Sequence, residues 1–438
     1  MKTALAYSFY NTLLLLFFFI DVGKWLYALL VSALKLQNKD KQKRDWHWGQ
    51  KFGFLSLGLA NKQPNKKRYL LHCASMGEVV AASQLVLELL KHHSDLELVI
   101  TTNTLTGKQQ ALNFINKHQL SERVFHTYLP IDLPWLAKRI LKKGQINKLI
   151  ILEVELWPNL INQAQTLGIN SAVVNARMTD SSLKGYSKFS WLSRPMFKSL
   201  NQVFVRNEKD FENYQQLNIT APVLSFAGNI KFDIPLPSTN VAESFAQQLN
   251  INDRPLIVAG STHEGEEQAL LDSYIKLKHT LPNLLLLIAP RHPHRFPVVA
   301  ELLTQQGFNF CKMSANESAV ADTQIILADQ MGVLSRLYAL ADLVFIGGSL
   351  AKRGGHNPIE AAIFKKPVIM GPHIYNNPEI IDTLANNGGL VKVKNASELT
   401  DQMTKIMSDR HLQLDYGNKN LSTIQASSGV IAKLVQQL

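Results

Sequence analysis

Glu78 follows Ser75-Met76-Gly77, where the apolar run YLLHCAS gives way to an amphipathic one. A carboxylate projected into a cleft from such a strand-to-helix turn has the chemistry of a general base. The competing structural reading is a helix-start carboxylate favoured by the helix dipole. Glu153 and Glu155 close the run KLIILEVE. Their even spacing places both on one face of an expected strand. Two carboxylates on one face of a buried parallel strand are costly unless paired or functional. Arg177, ending SAVVNAR, and Lys231, in GNIK, are the candidate partners.

A second group lies in residues 343–372, LVFIGGSLAKRGGHNPIEAAIFKKPVIMGP. An apolar strand, Leu343 to Ile346, breaks at Gly347-Gly348, and the loop carries Gly354 and Gly355. Asn357 then stands at an expected helix N-cap, with Pro358 at the first helical position and Glu360 two residues on. Strand, glycine loop and helix start together suit an anionic or nucleotide ligand, and Glu360 would accept from ribose hydroxyls. A capping box, in which Glu360 bonds the Asn357 N–H, explains N-P-x-E alone. It does not explain four glycines and the Arg-Gly-Gly-His upstream. Pro290-Arg291 ends the run LLLLIAP, and Arg291 is well placed for a phosphate. Arg295 is a possible helper, and solvated loop charge is the plain alternative for both. Ser261-Thr262-His263 ends the preceding run. HEGEE lacks the second histidine of a zinc motif. No D-x-D occurs, so the chain offers no obvious cradle for a metal-bound nucleotide diphosphate.

The elements that must position these residues follow a βαβ rhythm. In the first half the apolar runs are YLLHCAS, LELVITTN, RVFHTYLP, KLIILEVE, SAVVNAR, QVFVRN and VLSFAGN. They predict a doubly wound parallel sheet with ligands at the carboxyl ends of the strands. Pro235, Pro237, Ser238 and Thr239 read as a linker. The rhythm resumes with PLIVAGST, LLLLIAPRH, TQIILAD, LVFIGG and PVIMG. The fold class is therefore α/β, with two Rossmann-like domains over residues 50–233 and 240–438, the C-terminal helix free to cross back to the first. Ahead of them, residues 4–20 hold no charge and a second apolar run spans Trp25 to Leu34. Residues 1–36 are expected to form an N-terminal membrane-anchor helix. No small-x-small site follows, so a cleaved signal peptide fits poorly. Lys39, Lys41, Lys43 and Arg44 put the following side in the cytoplasm by the positive-inside rule. The formal charge of +12 calls for an acidic partner. With no helix-turn-helix, zinc module or RNP motif, an anionic membrane surface is the expectation and nucleic acid is not. Cys73 and Cys311 sit in apolar runs and read as buried thiols.

Two doubly wound domains, a linker and a nucleotide site in the second describe the glycosyltransferase B architecture. The strings HCASMGEV, TTNTLTG, YLPIDLP, EVELWPN, VNARMTD, GNIKFD, GSTHEGEE, APRHPHR, DQMGVLSRLYALAD, GGSLAKRGGHNPIEA and GPHIYNN follow one another in the chain. In that order they resemble the motifs of bacterial 3-deoxy-D-manno-octulosonic acid (Kdo) transferases of lipopolysaccharide synthesis. The resemblance implies an inverting transfer of Kdo from CMP-Kdo to the lipid A precursor, lipid IVA, without metal or cofactor, at the cytoplasmic face of the bacterial inner membrane. It matches Glu78 to a general base, and Glu153 and Lys231 to residues that stabilise the transition state. It matches Pro290, Arg291, Met331, Gly332, Val333, Asn357, Pro358, Ile359 and Glu360 to CMP-contacting segments. Val333 stands where the family usually has Glu, and Asn377 where it often has Phe. A UDP-sugar transferase of the same fold, a sugar-nucleotide epimerase and a non-catalytic sugar-binding module remain alternatives.

Overall fold

Each of the seven apolar runs of the first half becomes a strand. They are β1 (Lys67–His72), β2 (Leu96–Thr102), β3 (Val124–Tyr128), β4 (Lys148–Leu152), β5 (Asn170–Ala176), β6 (Gln202–Val205) and β7 (Leu224–Phe226). In this computed structural model, residues 5, 7–16, 19, 48–51, 65–220, 222–235, 246–247, 249–251, 254–315 and 317–438 are described. The described chain divides into two compact units, Met1–Asp233 with Gly429–Leu438, and Ile234–Ser428.

The first unit is a parallel sheet in the order β3-β2-β1-β4-β5-β6-β7. Its strands are buried on both faces, which is why they read as continuous apolar runs rather than alternating ones. One face packs Leu70, Ile151 and Val173 against the helices Pro134–Lys143 and Pro158–Thr166. The other packs Leu71, Ile150 and Leu152 against the helix Met76–His92. The helix Val430–Gln437 completes that second face, adding Val430, Ile431, Leu434 and Val435 to the core. The Asp233 carboxylate accepts from the Gly429 and Ile431 N–H groups and so caps the returning helix.

The second unit repeats the plan. Its strands are β8 (Leu256–Thr262), β9 (Leu285–Pro290), β10 (Phe310–Lys312), β11 (Ile325–Leu327), β12 (Leu343–Ile346), β13 (Val368–Met370) and β14 (Leu390–Lys392). They form a parallel sheet ordered β10-β11-β9-β8-β12-β13-β14. The two strands not expected from sequence, β10 and β14, are three-residue edge strands that end in lysine and are only partly buried, so no apolar run marks them.

Two local expectations are corrected. β4 ends at Leu152, and Glu153 adopts a left-handed conformation, φ 58°, in a turn. Glu153 and Glu155 therefore do not share a strand face. The short helix after the glycine loop is a single turn, Ile359–Ala362, with Pro358 rather than Asn357 at its N-cap. Asn357 still serves that end, its Oδ1 accepting from the Ile359 N–H at 3.2 Å. Of the anchor proposed for residues 1–36, residues 7–16 are helical and dock on the first unit. Tyr10 donates to Asp132 Oδ2 at 3.0 Å, and Asn159 donates to Asn11 Oδ1 at 2.7 Å. Leu5, Phe9, Leu13, Leu16 and Phe19 remain exposed. Residues 20–47 lie outside the described residues, as do Pro237, Ser238 and Thr239 of the linker. Among the described residues no helix is long and apolar enough to cross a membrane.

Candidate active site

In a doubly wound sheet, ligands gather where the winding reverses, outside the carboxyl ends of the strands. In the first unit that reversal lies between β1 and β4. Glu78 follows β1 and Glu153 follows β4, so the two leading carboxylates stand on the two strands at the switch.

Glu78 is in the first turn of the helix Met76–His92, whose N-cap is Ser75. Its Oε2 accepts from the Ala74 N–H at 2.6 Å, so the carboxylate does part of a capping-box task. Burial, and then the charge of Glu153, raise its pKa to about 7. Glu153 is treated in the opposite way. Burial alone would raise its pKa, but Lys231 overrides that, and Arg206 and Arg177 help hold it below the usual value. Lys231 Nζ stands 2.8 Å from Glu153 Oε1, and Asn175 Nδ2 donates to the same oxygen at 3.3 Å. Asn175 Oδ1 accepts from the Ile230 N–H, tying the Lys231 loop to the same point. Arg177 Nε is buried with no hydrogen-bond partner among the described residues. An orphaned donor beside the Glu153–Lys231 pair is a group waiting for a ligand or water.

His72 and Trp157 fix the loop after β4. Trp157 Nε1 donates to His72 Nε2 at 3.2 Å, so the imidazole keeps its proton on Nδ1 and gives it to Thr101 Oγ1 at 3.0 Å. Burial lowers the His72 pKa to about 4, which keeps the ring neutral.

In the second unit the reversal lies between β8 and β12, with β9 beside β8. Their carboxyl ends carry His263, Gly347-Gly348 and Arg291. The glycine loop differs in one respect from the expected phosphate cradle: its backbone N–H groups are already occupied. Glu266, almost wholly buried, accepts from Gly348 at 2.8 Å, Ser349 at 3.0 Å, Leu350 at 2.9 Å and Ala351 at 3.1 Å, and from His263 at 2.9 Å. The nest is filled by the protein's own carboxylate. Gly347 is required by close approach, since a Cβ there would meet Ser261 O at 2.3 Å, and Gly348 by its φ of 70°.

The cationic groups are arranged beyond that loop. His263 Nε2 and His356 Nε2 are 3.1 Å apart with parallel rings, and the His292 ring lies 5.5 Å from His263. Burial, followed by neighbouring cations, lowers both His263 and His356 to about 4. Those cations include Arg291 for both, and Arg353 and Arg295 for His263. Arg295 is tied to buried Glu267 at 3.0 Å, so its part is structural and not the phosphate contact considered for it. The Arg291 and Arg353 guanidinium groups make no hydrogen bond to the described residues. Glu360 has an accessible surface but a carboxyl set among neighbouring atoms, where burial pulls its pKa up and the charge of Arg291 opposes that pull. Pro358 and Ile359 are buried supports. Met331, Gly332 and Val333 follow β11, one strand beyond β9. Met331 is exposed, Gly332 has φ 82°, and the Val333 side chain is buried. Buried Val333 leaves its backbone as the group able to meet a base. Asn377 stands at the N-cap of the helix Pro378–Asn386 without a side-chain capping bond, and nothing in the structure explains an asparagine there.

Sequence reasoning missed Asn175, Glu266, His356 and Arg353 as site residues. Arg353 and His356 were visible in Arg-Gly-Gly-His. Glu266 lay in HEGEE, a string weighed only for zinc. Among the described residues no cluster of His, Cys, Asp and Glu has a geometry that would hold a metal ion.

Residues 46–234 match the family profile described as 3-Deoxy-D-manno-octulosonic-acid transferase (kdotransferase), and residues 256–422 match Glycosyl transferases group 1. The chain is 34% identical over 396 residues to the 3-deoxy-D-manno-octulosonic acid transferase of Haemophilus influenzae, covering 89% of this chain and 90% of that protein. Among solved structures, a glycosyltransferase from Rickettsia africae aligns with a TM-score of 0.54 at 16% identity, over 85% of this chain and 98% of that one. A UDP-N-acetylglucosamine 2-epimerase aligns with a TM-score of 0.56 at 12% identity, over 86% and 96%. At such identities the likeness is one of fold alone, two parallel-sheet α/β domains of the glycosyltransferase B kind.

Proposed function

The chain belongs to the 3-deoxy-D-manno-octulosonic acid (Kdo) transferase family and is a glycosyltransferase, and from that premise we propose that it moves Kdo from CMP-Kdo to the lipid A precursor lipid IVA, with inversion and without metal or cofactor. The observation that carries the mechanism is the split between two neighbouring carboxylates. Glu78 is raised to about 7 and Glu153 is held ionised by Lys231. Environments that push two titratable groups apart assign the acid–base roles.

Glu78 takes the proton of an acceptor hydroxyl. That oxygen forms a bond to the anomeric carbon of Kdo as the bond from that carbon to the CMP phosphate oxygen breaks on the opposite face. The proton stays on Glu78, and CMP leaves as a phosphate monoester. Positive charge develops on the sugar, and the ionised Glu153, fixed by Lys231 and Asn175, is preorganised to stabilise it. Arg291 and Arg353, whose guanidinium groups make no hydrogen bond among the described residues, suit the departing phosphate. The Asn357–Glu360 turn and the Val333 backbone supply contacts to the nucleoside. A single phosphate requires less neutralisation than a diphosphate, in keeping with the missing D-x-D.

For localisation we propose the cytoplasmic face of the inner membrane, held there by the N-terminal segment. The exposed stripe Leu5, Phe9, Leu13, Leu16 and Phe19 and the formal charge of +12 support this reading. The direct test incubates purified protein with CMP-Kdo and lipid IVA and weighs the products. A mass gain of one or more Kdo units is expected. No gain with CMP-Kdo, but transfer or epimerisation with a UDP-sugar, overturns the proposal.

A further inference from the structure

We infer that an apolar cavity in the first unit, between the helices Pro158–Thr166, Asp180–Lys188 and Ser190–Lys198, holds an acyl chain of the acceptor glycolipid, an inference that rests on the lipid acceptor proposed above. The cavity measures about 320 Å³ and is lined by Pro158, Gly185, Tyr186, Phe189, Leu192 and Met196. Two serines border it, but their hydroxyls are already engaged. Ser182 pairs with Thr179, and Ser193 donates to the Tyr186 carbonyl at 2.8 Å. The lining is mostly apolar, with the Tyr186 hydroxyl as its main polar group, and an open groove of that kind gives water few partners and accepts hydrocarbon.

Its rim has the chemistry of a lipid headgroup zone. Phe189 and Trp191 are 50% and 39% exposed and meet edge to face at 6.3 Å. Lys188 Nζ lies 5.8 Å from the Phe189 ring centre. Lys184, Arg194 and Lys198 are exposed on the same two helices. Aromatic rings beside cations at the mouth of an apolar cavity complement a phosphorylated lipid, the phosphates meeting the lysines and the chain passing inward. Phe9 packs on Trp191 at 5.9 Å, which brings the exposed stripe of the N-terminal helical segment alongside.

The neighbourhood of the cavity favours an acceptor over an ordinary membrane lipid. Tyr186 lies within electrostatic reach of Glu155, and Glu155 within reach of Glu78. Pro158 stands three residues after Glu155 in the same loop-to-helix turn. A lipid with its chain in the cavity can lay its sugar head toward the candidate base. A bilayer lipid has no need of that placement.

Gly185→Leu tests the site, because a Cβ at Gly185 meets nothing within 4 Å and the helix tolerates the change. Steady-state transfer is measured with the acylated acceptor and with its deacylated disaccharide bisphosphate. The variant should raise KM for the acylated acceptor about tenfold or more, the effect of excluding roughly two buried methylene groups. It should leave kcat/KM on the deacylated one within about twofold, a difference of about 0.4 kcal/mol. Equal effects on both acceptors, or none on either, overturn the inference. Equilibrium dialysis of lauroyl lysophosphatidate below its critical micelle concentration gives an independent readout. Wild type should bind it and Gly185→Leu should bind it about tenfold less well. Absence of binding to wild type overturns the site, leaving the cavity to the chain's own residues. Binding lost with acylated-acceptor KM unchanged assigns the cavity to a membrane lipid and overturns the acceptor reading. If wild type transfers Kdo to neither acceptor, the proposed function falls, while the dialysis still supports or overturns the acyl-chain site.

Discussion

At the scale of single residues, Glu78 carries two opposite pH dependences. As a base it works only when ionised, so kcat/KM should rise through an apparent pKa near 7 and level off above it. As a structural group its folded pKa lies above its ordinary 4.5. The stabilisation it contributes is then present below about 4.5 and lost as pH rises through about 7. Glu78→Gln should therefore cut turnover by roughly 10²–10⁴, remove the acid limb of the profile, and melt above wild type at pH 8 but not at pH 4. A variant with near-normal turnover returns Glu78 to a plain helix-start role. The arginines divide in the same concrete way. Arg291→Ala and Arg353→Ala should each weaken CMP binding by about 1.5–3 kcal/mol, the range for a charged hydrogen bond, with little change in melting. Arg295→Ala should do the reverse, because it strands buried Glu267. Calorimetric titration with CMP beside a thermal melt separates the two patterns. Glu78, Glu153, Lys231 and Arg291 were legible because strand ends in a βαβ rhythm are where polar side chains cannot be core. Asn175 was not, because it sits within β5 with φ 54°, and nothing in VVNA marks a left-handed asparagine.

At the scale of elements, the loop after β12 shows how a correct motif can be misread. Its glycines and its row of N–H groups looked like a ligand cradle, and they are one, but Glu266 occupies it. Glu266→Ala would leave five N–H groups without their acceptor, at about 1–3 kcal/mol for each one that water fails to reach. A melting temperature lowered by many degrees is expected, with CMP binding lost only as the loop disorders. An unchanged melt would show that the carboxylate is not what shapes the loop. The strands were legible from apolar runs alone, save β10 and β14, which bury too little to leave one. Placing Glu153 and Glu155 on a strand failed for a physical reason. The chain leaves β4 through a left-handed residue, and alternation ends where the ladder does. The N-terminal helical segment also shares in the fold more than a tether would. Tyr10→Phe removes a donor from buried Asp132, whose carboxyl is raised to about 7 by burial. A loss of about 1–3 kcal/mol is expected in a denaturant melt, and deleting residues 1–36 should cost at least that much. No change in either would mean that the segment does not dock.

At the scale of the molecule, the two Rossmann-like units were legible because both halves repeat the same rhythm. The last helix crosses back to the first unit, as the sequence allowed, but which face it covers was less legible, since amphipathic spacing says that a helix has an apolar face and not which side chains will cover it. Val430, Ile431, Leu434 and Val435 bury four aliphatic side chains there, worth about 1.5–3 kcal/mol each. Removing Gly429–Leu438 should unfold the first unit in preference to the second. Limited proteolysis should then cut within residues 65–233 and spare 254–428. Protection of both regions would show that the helix is dispensable.

The capping of that helix by Asp233 has a consequence for how the protein is made. On the ribosome, β1 to β7 and the helix Met76–His92 are complete while the residues that finish their core are still untranslated. The whole of residues 234–428 must be added first, which at about 5–20 residues per second takes roughly 10–40 s. Throughout that interval the nascent first unit presents an open apolar groove around Leu85 and Leu89 to the cell, with the Asp233 carboxylate at its edge waiting for the N–H groups of Gly429 and Ile431. Its closure waits for residues 429–438 to emerge, and until then the groove is the natural ground for a holding chaperone.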